Sequence, residues 1–218
     1  MAQTIGKFHP HRWFAGVWDW MTWRSEATFM KTIRAHMVNG ARGRVLEIGA
    51  GTGTNFPYYR SEQLQVVIAT DPDPHMVKRA QRRLHRLGLD NVDLRQAPAE
   101  QLPFDDCTFD TVISILVLCT VQDLDRSLRE IRRVLKPSGR FRFYEHVRSP
   151  NRWEAFTQDV MTPIWKWLGA GCHPNRDITL AIEKADFRIA ELRRLRPFLP
   201  IPFLAPTRPH VLGVAYPS

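Results

Sequence analysis

The sequence of 218 residues predicts one α/β domain, in which a seven-stranded, mostly parallel β-sheet carries helices on both faces. Two observations predict this fold. Short apolar runs alternate along the chain with segments whose apolar residues recur at helical spacing. The run 44–48 breaks into a glycine-rich turn and then into a helical pattern, and such a turn lets an α/β sheet hold a nucleotide-like ligand.

The predicted elements follow from apolar periodicity and from residues that begin or end helices. The predicted strands are 44–48, 65–70, 92–95, 111–115, 140–144, 187–195 and 209–216. The predicted helices are 25–39, 55–61, a helix from Pro74 to the stop at Gly88, 123–135, 153–168 with an interruption at Pro163, and 176–185. Residues 136–139 form a turn. We expect residues 1–40 to form an N-terminal lid, 41–148 a ligand-binding core, and 149–218 a helical insertion and the last strands.

Composition indicates an ordinary globular protein with a basic surface. Hydrophobic residues make up 44% and charged residues 24%, and the formal net charge is +9. The charge favours an anionic partner, such as nucleic acid, an anionic membrane or an acidic substrate. Three cysteines (Cys107, Cys119 and Cys172) without a Cys-x-x-Cys pair predict reduced thiols in the cytoplasm. No signal peptide is visible, and the longest apolar run, 112–119, is shorter than the ~20 residues that span a bilayer.

The glycine turn has a spacing that separates it from two common nucleotide motifs. Glu47 ends the first apolar run, and Gly49, Gly51 and Gly53 follow at alternate positions. A dinucleotide fingerprint would need glycine where Thr54 stands, and a phosphate P-loop would need a Gly-Lys-Ser/Thr sequence that is missing here. Asp71, 22 positions after Gly49, ends the second predicted strand at the offset where a carboxylate accepts hydrogen bonds from a ribose diol.

The pattern hydrophobic-Glu-x-Gly-x-Gly-x-Gly resembles the first motif of class I methyltransferases that use S-adenosylmethionine. From 45 to 216 the chain resembles type-11-like methyltransferases, near the ubiquinone and menaquinone enzymes. It is most similar to the membrane-associated alkyl thiol S-methyltransferases of animals. The segments that carry this resemblance are VLEIGAGTGTNF, LVLCTVQD, REIRRVLKPSG, YEHV, DVMTPIW, GC, EKADF and RPHVLG.

The resemblance implies a Rossmann-like fold, S-adenosylmethionine as cofactor and S-adenosylhomocysteine as product. Its implied cofactor-binding residues are Glu47, Gly49, Gly51, Gly53, Asp71, Pro72, Pro98, Ala99, Glu100 and Leu116. Among these, the segment APAEQLPF resembles the adenine-binding loop, although many relatives carry Asp where Pro98 stands. Backbone or Glu100 would then meet the adenine amino group. The implied substrate-side residues are Trp18, Cys172, Arg176 and His210.

His146 is the candidate general base, because it ends the fifth predicted strand at the sheet edge where ligands bind. The alternative is a histidine that only hydrogen-bonds the lid. Cys119 lies in an apolar run without an adjacent base and is predicted to be a buried, inert thiol. Strand four is not followed by Asn/Asp-Pro-Pro-aromatic, which argues against methylation of nucleic-acid amino groups and against a nucleic-acid partner.

The N-terminal 23 residues contain four tryptophans, including Trp18, and are either a lid over the site or a membrane-interface segment. Trp18-Asp19 is similar to a Tyr-Asp near the start of quinone-type methyltransferases. His9-x-His11 has no further ligand at metal-site spacing, so no metal site is predicted. The proline-rich stretch 197–206 is either the wall of a substrate tunnel or an exposed apolar loop.

The resemblance therefore implies methyl transfer to a small hydrophobic acceptor, with a thiol as the first candidate. The second candidate is a lipid-like acceptor, either a quinone precursor or a phospholipid amine, at an anionic membrane surface. This candidate agrees with a basic helix face whose residues are Lys78, Arg79, Arg82, Arg83 and Arg86, although such a face is often only solvated. A third hypothesis, from another class, is a cofactor-binding protein without catalysis. We expect a cytoplasmic protein that contacts membranes peripherally, if at all.

Overall fold

A computed structural model of the protein describes residues 29–59, 62–168, 171–197 and 206–218. The helices are α1 (Lys31–Asn39), α2 (Pro74–Leu87), α3 (Leu124–Val134), α4 (Arg152–Leu168) and α5 (Ile178–Lys184). The strands are β1 (Gly43–Ile48), β2 (Leu64–Asp71), β3 (Val92–Gln96), β4 (Phe109–Ile115), β5 (Leu135–His146), β6 (Phe187–Leu195) and β7 (His210–Pro217).

The seven strands form one sheet in the order β3-β2-β1-β4-β5-β7-β6. The pairs β1–β2, β1–β4, β2–β3 and β4–β5 are parallel, whereas β7 runs antiparallel to both β5 and β6. The predicted seven-stranded, mostly parallel sheet is therefore confirmed. The strand order reverses between β1 and β4, and open α/β sheets bind their ligands outside the carboxyl ends of the strands at such a reversal.

Alternating strand residues build a separate apolar core on each face of the sheet. Leu46 and Val112 pack on one side with Leu128 and Ile131 of α3. The neighbouring residues Val45 and Ile113 pack on the other side, in a cluster that also contains side chains of α1 and α2. Because both faces are covered, the inner strands β1, β2 and β4 are buried along most of their length, whereas the edge strands β3 and β6 are largely exposed.

Several helix ends follow from local sequence signals. Asp73, Asp123 and Asp177 each accept a backbone hydrogen bond at the start of α2, α3 and α5, which satisfies otherwise unpaired N–H groups. Gly88 ends α2 in the left-handed conformation, with φ of 59°. The predicted caps at Asp73 and Gly88 are thus confirmed.

Four details differ from the prediction. The helix α4 continues through Pro163, because Gln158 and Trp165 are buried on either side of the proline and hold both halves in place. The predicted helix 55–61 is only a 3₁₀ turn at Phe56–Tyr58, and α5 begins after its cap at Asp177 instead of at Arg176. β5 already starts at Leu135, and the predicted turn 136–139 is an irregularity in its pairing with β4.

Some predictions concern residues outside the described ones. These are the Trp-rich segment with Trp18 and His9-x-His11, the start of the first helix at Ser25, and most of the proline-rich stretch, 198–205. Within the ranges that the structure describes, no helix has the length and apolar character needed to cross a bilayer.

Candidate active site

The glycine turn after β1 places one backbone position against open space. Gly49, Gly51 and Gly53 have φ values of 60°, 58° and 78°, in the left-handed region that favours glycine. A Cβ atom on Gly49 would lie 2.4 Å from Val117, and one on Gly53 would lie 2.4 Å from Phe56, so these two glycines permit close packing. A Cβ atom on Gly51 would meet no atom within 4 Å, which leaves its face of the turn accessible to a ligand.

Asp71, the last residue of β2, ties this turn to the sheet edge. Its Oδ2 atom accepts a hydrogen bond of 2.8 Å from the Gly51 N–H, and its Oδ1 atom accepts one of 2.9 Å from the Asp73 N–H. Burial raises the pKa of Asp71 to about 6, although these two hydrogen bonds oppose the rise. Each carboxylate oxygen keeps acceptor capacity for a hydroxyl group of a ligand.

Glu47 lies beneath the turn, fully buried, and supports it from below. Its Oε1 atom accepts a hydrogen bond of 2.6 Å from the amide of Asn55, which in turn accepts one of 2.7 Å from Arg34. The phenol of Tyr59 lies beside the carboxylate, and burial raises the pKa of Glu47. The described contacts of Glu47 are thus internal, and its predicted contact with the cofactor remains a prediction.

The backbone after β4 folds around one buried carboxylate. Leu116 adopts a φ of 59° and donates its N–H to the Tyr144 carbonyl at 2.8 Å. Glu145, on β5, accepts a hydrogen bond of 2.6 Å from the Ser114 hydroxyl. The same carboxylate accepts backbone N–H bonds from Val117 at 3.0 Å, Leu118 at 3.1 Å and Cys119 at 3.4 Å. Burial raises the pKa of Glu145, and the hydrogen bonds from Ser114, Val117 and Leu118 oppose it.

Glu145 was not among the predicted site residues. Its only sequence signal is an acidic residue inside an apolar strand, directly before His146. Buried carboxylates of this kind need several donors, since an unpaired buried charge is costly. The donors come from residues 26 to 31 positions earlier, which no local pattern links to Glu145.

His146, Cys119 and Cys172 come together beyond the ends of β4 and β5. The Cys172 Sγ atom lies 3.6 Å from His146 Nδ1. One ligand atom from each of the three residues lies within 4.8 Å of the other two. The expectation that Cys119 has no adjacent base is therefore wrong, because the fold brings His146 to it from a distant part of the chain.

The two buried thiols differ in acidity because they interact with each other. The neighbouring Cys119 thiol lowers the pKa of Cys172 well below its usual value, and His146 adds to this effect. The same interaction, together with burial, raises the pKa of Cys119. Cys172 is therefore the more acidic thiol of the pair.

Arg176 closes this cluster from the side of α5. Its Nη1 atom donates a hydrogen bond of 2.7 Å to the Leu118 carbonyl, and its guanidinium group faces both Cys119 and Cys172. The backbone N–H of His173 donates to the Cys119 carbonyl at 2.7 Å. The loop after α4 and the loop after β4 are thus linked at the predicted substrate-side residues.

His210 is the β7 residue paired with His146 across the antiparallel β5–β7 ladder. The two ring centroids lie 4.5 Å apart, and His210 also stacks on Tyr144 at 5.0 Å. The His210 Nδ1 atom lies 2.8 Å from the Arg208 carbonyl, so it donates its proton there. Burial and the nearby His146 lower the pKa of His210 well below its usual value, so its ring stays neutral at physiological pH.

The predicted adenine loop lies next to Asp71. Ala97 donates its N–H to the Asp71 carbonyl at 3.2 Å, Gln101 donates to the Pro98 carbonyl at 3.2 Å, and Ala99 is buried. The Glu100 carboxylate accepts backbone N–H bonds from Gln122 at 2.7 Å and Asp123 at 3.3 Å. Its role in the described structure is to join this loop to the start of α3.

Pro72 follows Asp71, and its carbonyl accepts a hydrogen bond of 3.2 Å from Gln96.

The residues around β1, β2 and β4 fit S-adenosylmethionine. Three features lie at the carboxyl ends of β2, β1 and β4, which are neighbours in the sheet where the strand order reverses. They are the Asp71 carboxylate, the open face of Gly51 and the left-handed backbone of Leu116. Asp71 provides an acceptor for ribose hydroxyls, and the glycine turn lets a ligand approach the backbone closely. Of the predicted substrate-side residues, Cys172 and His210 lie beside His146 and Arg176 faces Cys172, whereas Trp18 is outside the described residues.

Comparisons with known proteins show which family the chain belongs to. A family model described as a methyltransferase domain matches residues 46–143. Human thiol S-methyltransferase TMT1B is 37% identical over 187 residues, which are 82% of this chain and 73% of that protein. Phosphatidylethanolamine N-methyltransferase from Cereibacter sphaeroides is 33% identical over 136 residues, 62% of this chain and 64% of that protein.

A solved structure of geranyl diphosphate methyltransferase in complex with GPP and sinefungin superimposes with a TM-score of 0.68 at 16% identity, over 86% of this chain and 78% of that one. At this identity the likeness shows the fold alone. The sequence matches cover most of the chain at higher identity and therefore show the family. The chain belongs to the S-adenosylmethionine-dependent methyltransferases, in the family that contains the thiol S-methyltransferases TMT1A and TMT1B.

Proposed function

We propose that the protein transfers a methyl group to the sulfur atom of a small hydrophobic thiol. The observation that carries this proposal is the cluster of His146, Cys119 and Cys172, with Arg176 facing both thiols, beside the loop that follows β4. The similarity to thiol S-methyltransferases supports the same acceptor.

S-Adenosylmethionine supplies an electrophilic methyl group on a sulfonium centre and leaves as S-adenosylhomocysteine. Gly51 and Asp71 are the residues that would hold it, and Leu116 would border it. The protein contributes alignment of the acceptor and exclusion of water, and alignment alone lowers a barrier by ~7–11 kcal/mol.

The acceptor must lose a proton before its sulfur becomes a good nucleophile. A free thiol has a pKa of about 8.5, so it is only partly ionised at neutral pH. His146 ends β5 within the cluster, and we propose that it accepts that proton. The guanidinium of Arg176 stabilises a thiolate in the same space, and the buried side chains of Val117 and Leu118 give the loop an apolar character.

A panel of acceptors tests this proposal. Formation of S-adenosylhomocysteine is followed with an alkyl thiol, with sulfide, with a phenolic quinone precursor, and with phosphatidylethanolamine in vesicles. We expect turnover with the thiols. Binding of S-adenosylhomocysteine without turnover on any acceptor would instead support a cofactor-binding protein without catalysis.

A second candidate function, methylation of a lipid-like acceptor at a membrane surface, is favoured by the outward face of α4. Its side chains are apolar and strongly exposed: Trp153 is 72%, Phe156 62%, Val160 57%, Ile164 45% and Trp167 75% exposed. They recur every three or four residues and so form one stripe. The opposite face of the same helix is buried through Ala155, Gln158, Thr162 and Trp165.

We propose that this stripe lies against the apolar boundary of a membrane. Tryptophans with apolar neighbours on one helix face are typical of interfacial helices, and contiguous exposed apolar surface marks interaction sites. Arg152 and Lys166 on the same helix are exposed and can contact anionic headgroups. The similarity to a phosphatidylethanolamine N-methyltransferase also supports a lipid acceptor.

Vesicle co-sedimentation tests the membrane contact. Trp153→Ser combined with Trp167→Ser should weaken binding to vesicles, and the loss should persist at high salt. Arg152→Gln combined with Lys166→Gln is the matched control on the same helix, and it should weaken binding only at low salt. Equal binding of the tryptophan variant and the unchanged protein at high salt would reject the stripe as the membrane contact.

A further inference from the structure

We propose that Cys119, His146 and Cys172 form a binding site for a zinc ion with one open coordination position. The three residues follow β4, end β5 and follow α4, respectively, so the fold assembles the site from three separate segments. The sequence predicts no metal site, because these three residues are too far apart in the chain to show a ligand spacing.

The distances within the cluster fit a tetrahedral ion. The ligand atoms of all three side chains lie within 4.8 Å of one another, and Cys172 Sγ lies 3.6 Å from His146 Nδ1. A tetrahedral centre with Zn–S of about 2.3 Å and Zn–N of about 2.0–2.1 Å places sulfur and nitrogen ligands about 3.5–3.6 Å apart. The Cys172–His146 pair thus already has the required separation, and Cys119 needs at most a small movement.

The ligand types favour zinc among the common biological ions. Two thiolates and one imidazole are borderline-to-soft donors, whereas calcium and magnesium prefer oxygen ligands. Two thiolates also neutralise a divalent ion. Because Cys119 and Cys172 are both buried, this neutrality avoids the large cost of an uncompensated charge.

Hydrogen bonds hold the segments around the ligands in place. Cys119 donates its N–H to Glu145 and accepts a backbone hydrogen bond from His173. Cys172 follows Gly171, whose φ is 92° and whose N–H donates to the Lys166 carbonyl at 2.9 Å. Such partners behind the ligands are what a preorganised metal site requires.

Three protein ligands leave a fourth position, which we assign to the sulfur of the acceptor thiol. This part of the inference rests on the proposed thiol methylation, whereas the metal site does not. The acceptor would bind as a thiolate and release its proton to water, with zinc in place of a base. A third thiolate would give the cluster one negative charge, which Arg176 offsets. His146 would then be a ligand through Nδ1, and this role would replace that of general base proposed above.

Metal binding by the 218-residue chain tests the site without any methyl-transfer assay. The reduced, metal-free chain is titrated with Co²⁺ alone, and thiolate-to-cobalt charge-transfer absorption is recorded before Zn²⁺ is added as competitor. We expect one Co²⁺ per chain, displaced by Zn²⁺. Cys119→Ser and Cys172→Ser should each weaken metal binding by at least about 100-fold. Removal of a residue that only hydrogen-bonds to a ligand costs about 10–100-fold in metal affinity, and removal of a ligand itself should cost more.

Cys107→Ser is the matched control, since Cys107 is exposed and outside the cluster. It should leave the cobalt spectrum unchanged. Binding of S-adenosylhomocysteine by each variant reports whether the fold is intact. Three results would overturn the proposal. The first is absence of charge-transfer absorption in the unchanged protein, and the second is persistence of the absorption in the Cys119→Ser, Cys172→Ser double variant. The third is formation of a Cys119–Cys172 disulfide in place of metal binding. Metal binding without thiol turnover would keep the site and reject only the assigned acceptor.

Discussion

Cys172 Sγ lies 3.6 Å from His146 Nδ1, which joins the loop after α4 to the end of the central strand β5. This contact brings together a candidate base and a thiol whose pKa is lowered. Glu145, the residue before His146, holds the backbone of the third member, Cys119. The predicted substrate-side residues thus gather at the end of β5, whereas Gly51 and Asp71, the predicted cofactor-binding residues, lie at the ends of β1 and β2.

His146→Gln should reduce thiol methylation by about 10²–10⁴-fold, the range that a positioned acid–base group contributes. Affinity for S-adenosylhomocysteine should stay within about twofold, because Gly51 lies in the turn after β1 and Asp71 ends β2. Steady-state turnover and calorimetric titration measure the two quantities. His85→Gln, at an exposed position of α2, is the control. Equal losses in turnover and cofactor affinity would show that His146 supports the fold and not the transfer.

Gly51→Ala and Gly49→Ala separate ligand contact from packing. Both residues have positive φ, which costs an L-residue about 1–2 kcal/mol. Only the Gly49 variant adds an overlap with Val117, so it should lose about 1–3 kcal/mol more unfolding free energy. Urea denaturation measures this difference. Gly51→Ala should lose cofactor affinity but should lose less unfolding free energy than Gly49→Ala. Unchanged cofactor affinity in Gly51→Ala would show that the ligand binds elsewhere.

Cofactor binding should weaken as pH falls below about 6, because a ribose hydroxyl donates best to an ionised Asp71, whose pKa is raised to about 6. The effect on stability has the opposite sign. A raised pKa means that the folded protein holds the Asp71 proton more tightly than the unfolded chain does. Protonation of Asp71 therefore stabilises the fold. This stabilisation is complete below the unperturbed pKa of 3.8 and disappears as pH rises through about 6. Titration with S-adenosylhomocysteine from pH 8 to pH 5, a range about the raised pKa, measures the binding effect.

Asp71→Asn is the control for this pH dependence. It should bind S-adenosylhomocysteine about 10–100-fold more weakly at neutral pH, since hydrogen bonds to a charged group contribute about 1.5–3 kcal/mol. Its affinity should then change little between pH 7 and pH 5, on either side of the wild-type pKa of about 6. The same pH profile in both proteins would assign the titration to another group.

Glu145→Ala should destabilise the fold by about 2–5 kcal/mol, because it removes the acceptor of the Ser114 hydroxyl and of the Val117, Leu118 and Cys119 N–H groups. Glu145→Gln keeps one acceptor oxygen and should therefore destabilise the fold less than Glu145→Ala. Guanidinium denaturation of both variants measures the difference. A loss below about 1 kcal/mol for Glu145→Ala would mean that water replaces the carboxylate.

The parts of the fold that sequence analysis predicted correctly have local causes. Apolar runs or alternating apolar residues located the seven strands, Asp73 and Gly88 located the ends of α2, and the glycine spacing located the turn after β1. Each of these signals lies within a few residues of the structure that it specifies.

The missed features depend on tertiary contacts. Glu145 meets donors 26 to 31 residues away, and Cys119 meets His146 only after β4 and β5 pair. Pro163 was expected to interrupt α4, but buried side chains on both sides override the local preference. The apolar stripe of α4 was also missed, because apolar periodicity cannot tell which face of a helix is buried.

Direct detection of the methylated product tests the central proposal most directly. The protein is incubated with S-adenosylmethionine carrying an isotopically labelled methyl group and with an equimolar mixture of an alkyl thiol, a phenolic quinone precursor and vesicular phosphatidylethanolamine. Mass spectrometry then assigns the label to sulfur, oxygen, carbon or nitrogen. We predict label on the thiol sulfur, strongly reduced in His146→Gln. Label only on the phenol or the phospholipid would contradict the thiol assignment and favour the lipid-like acceptor.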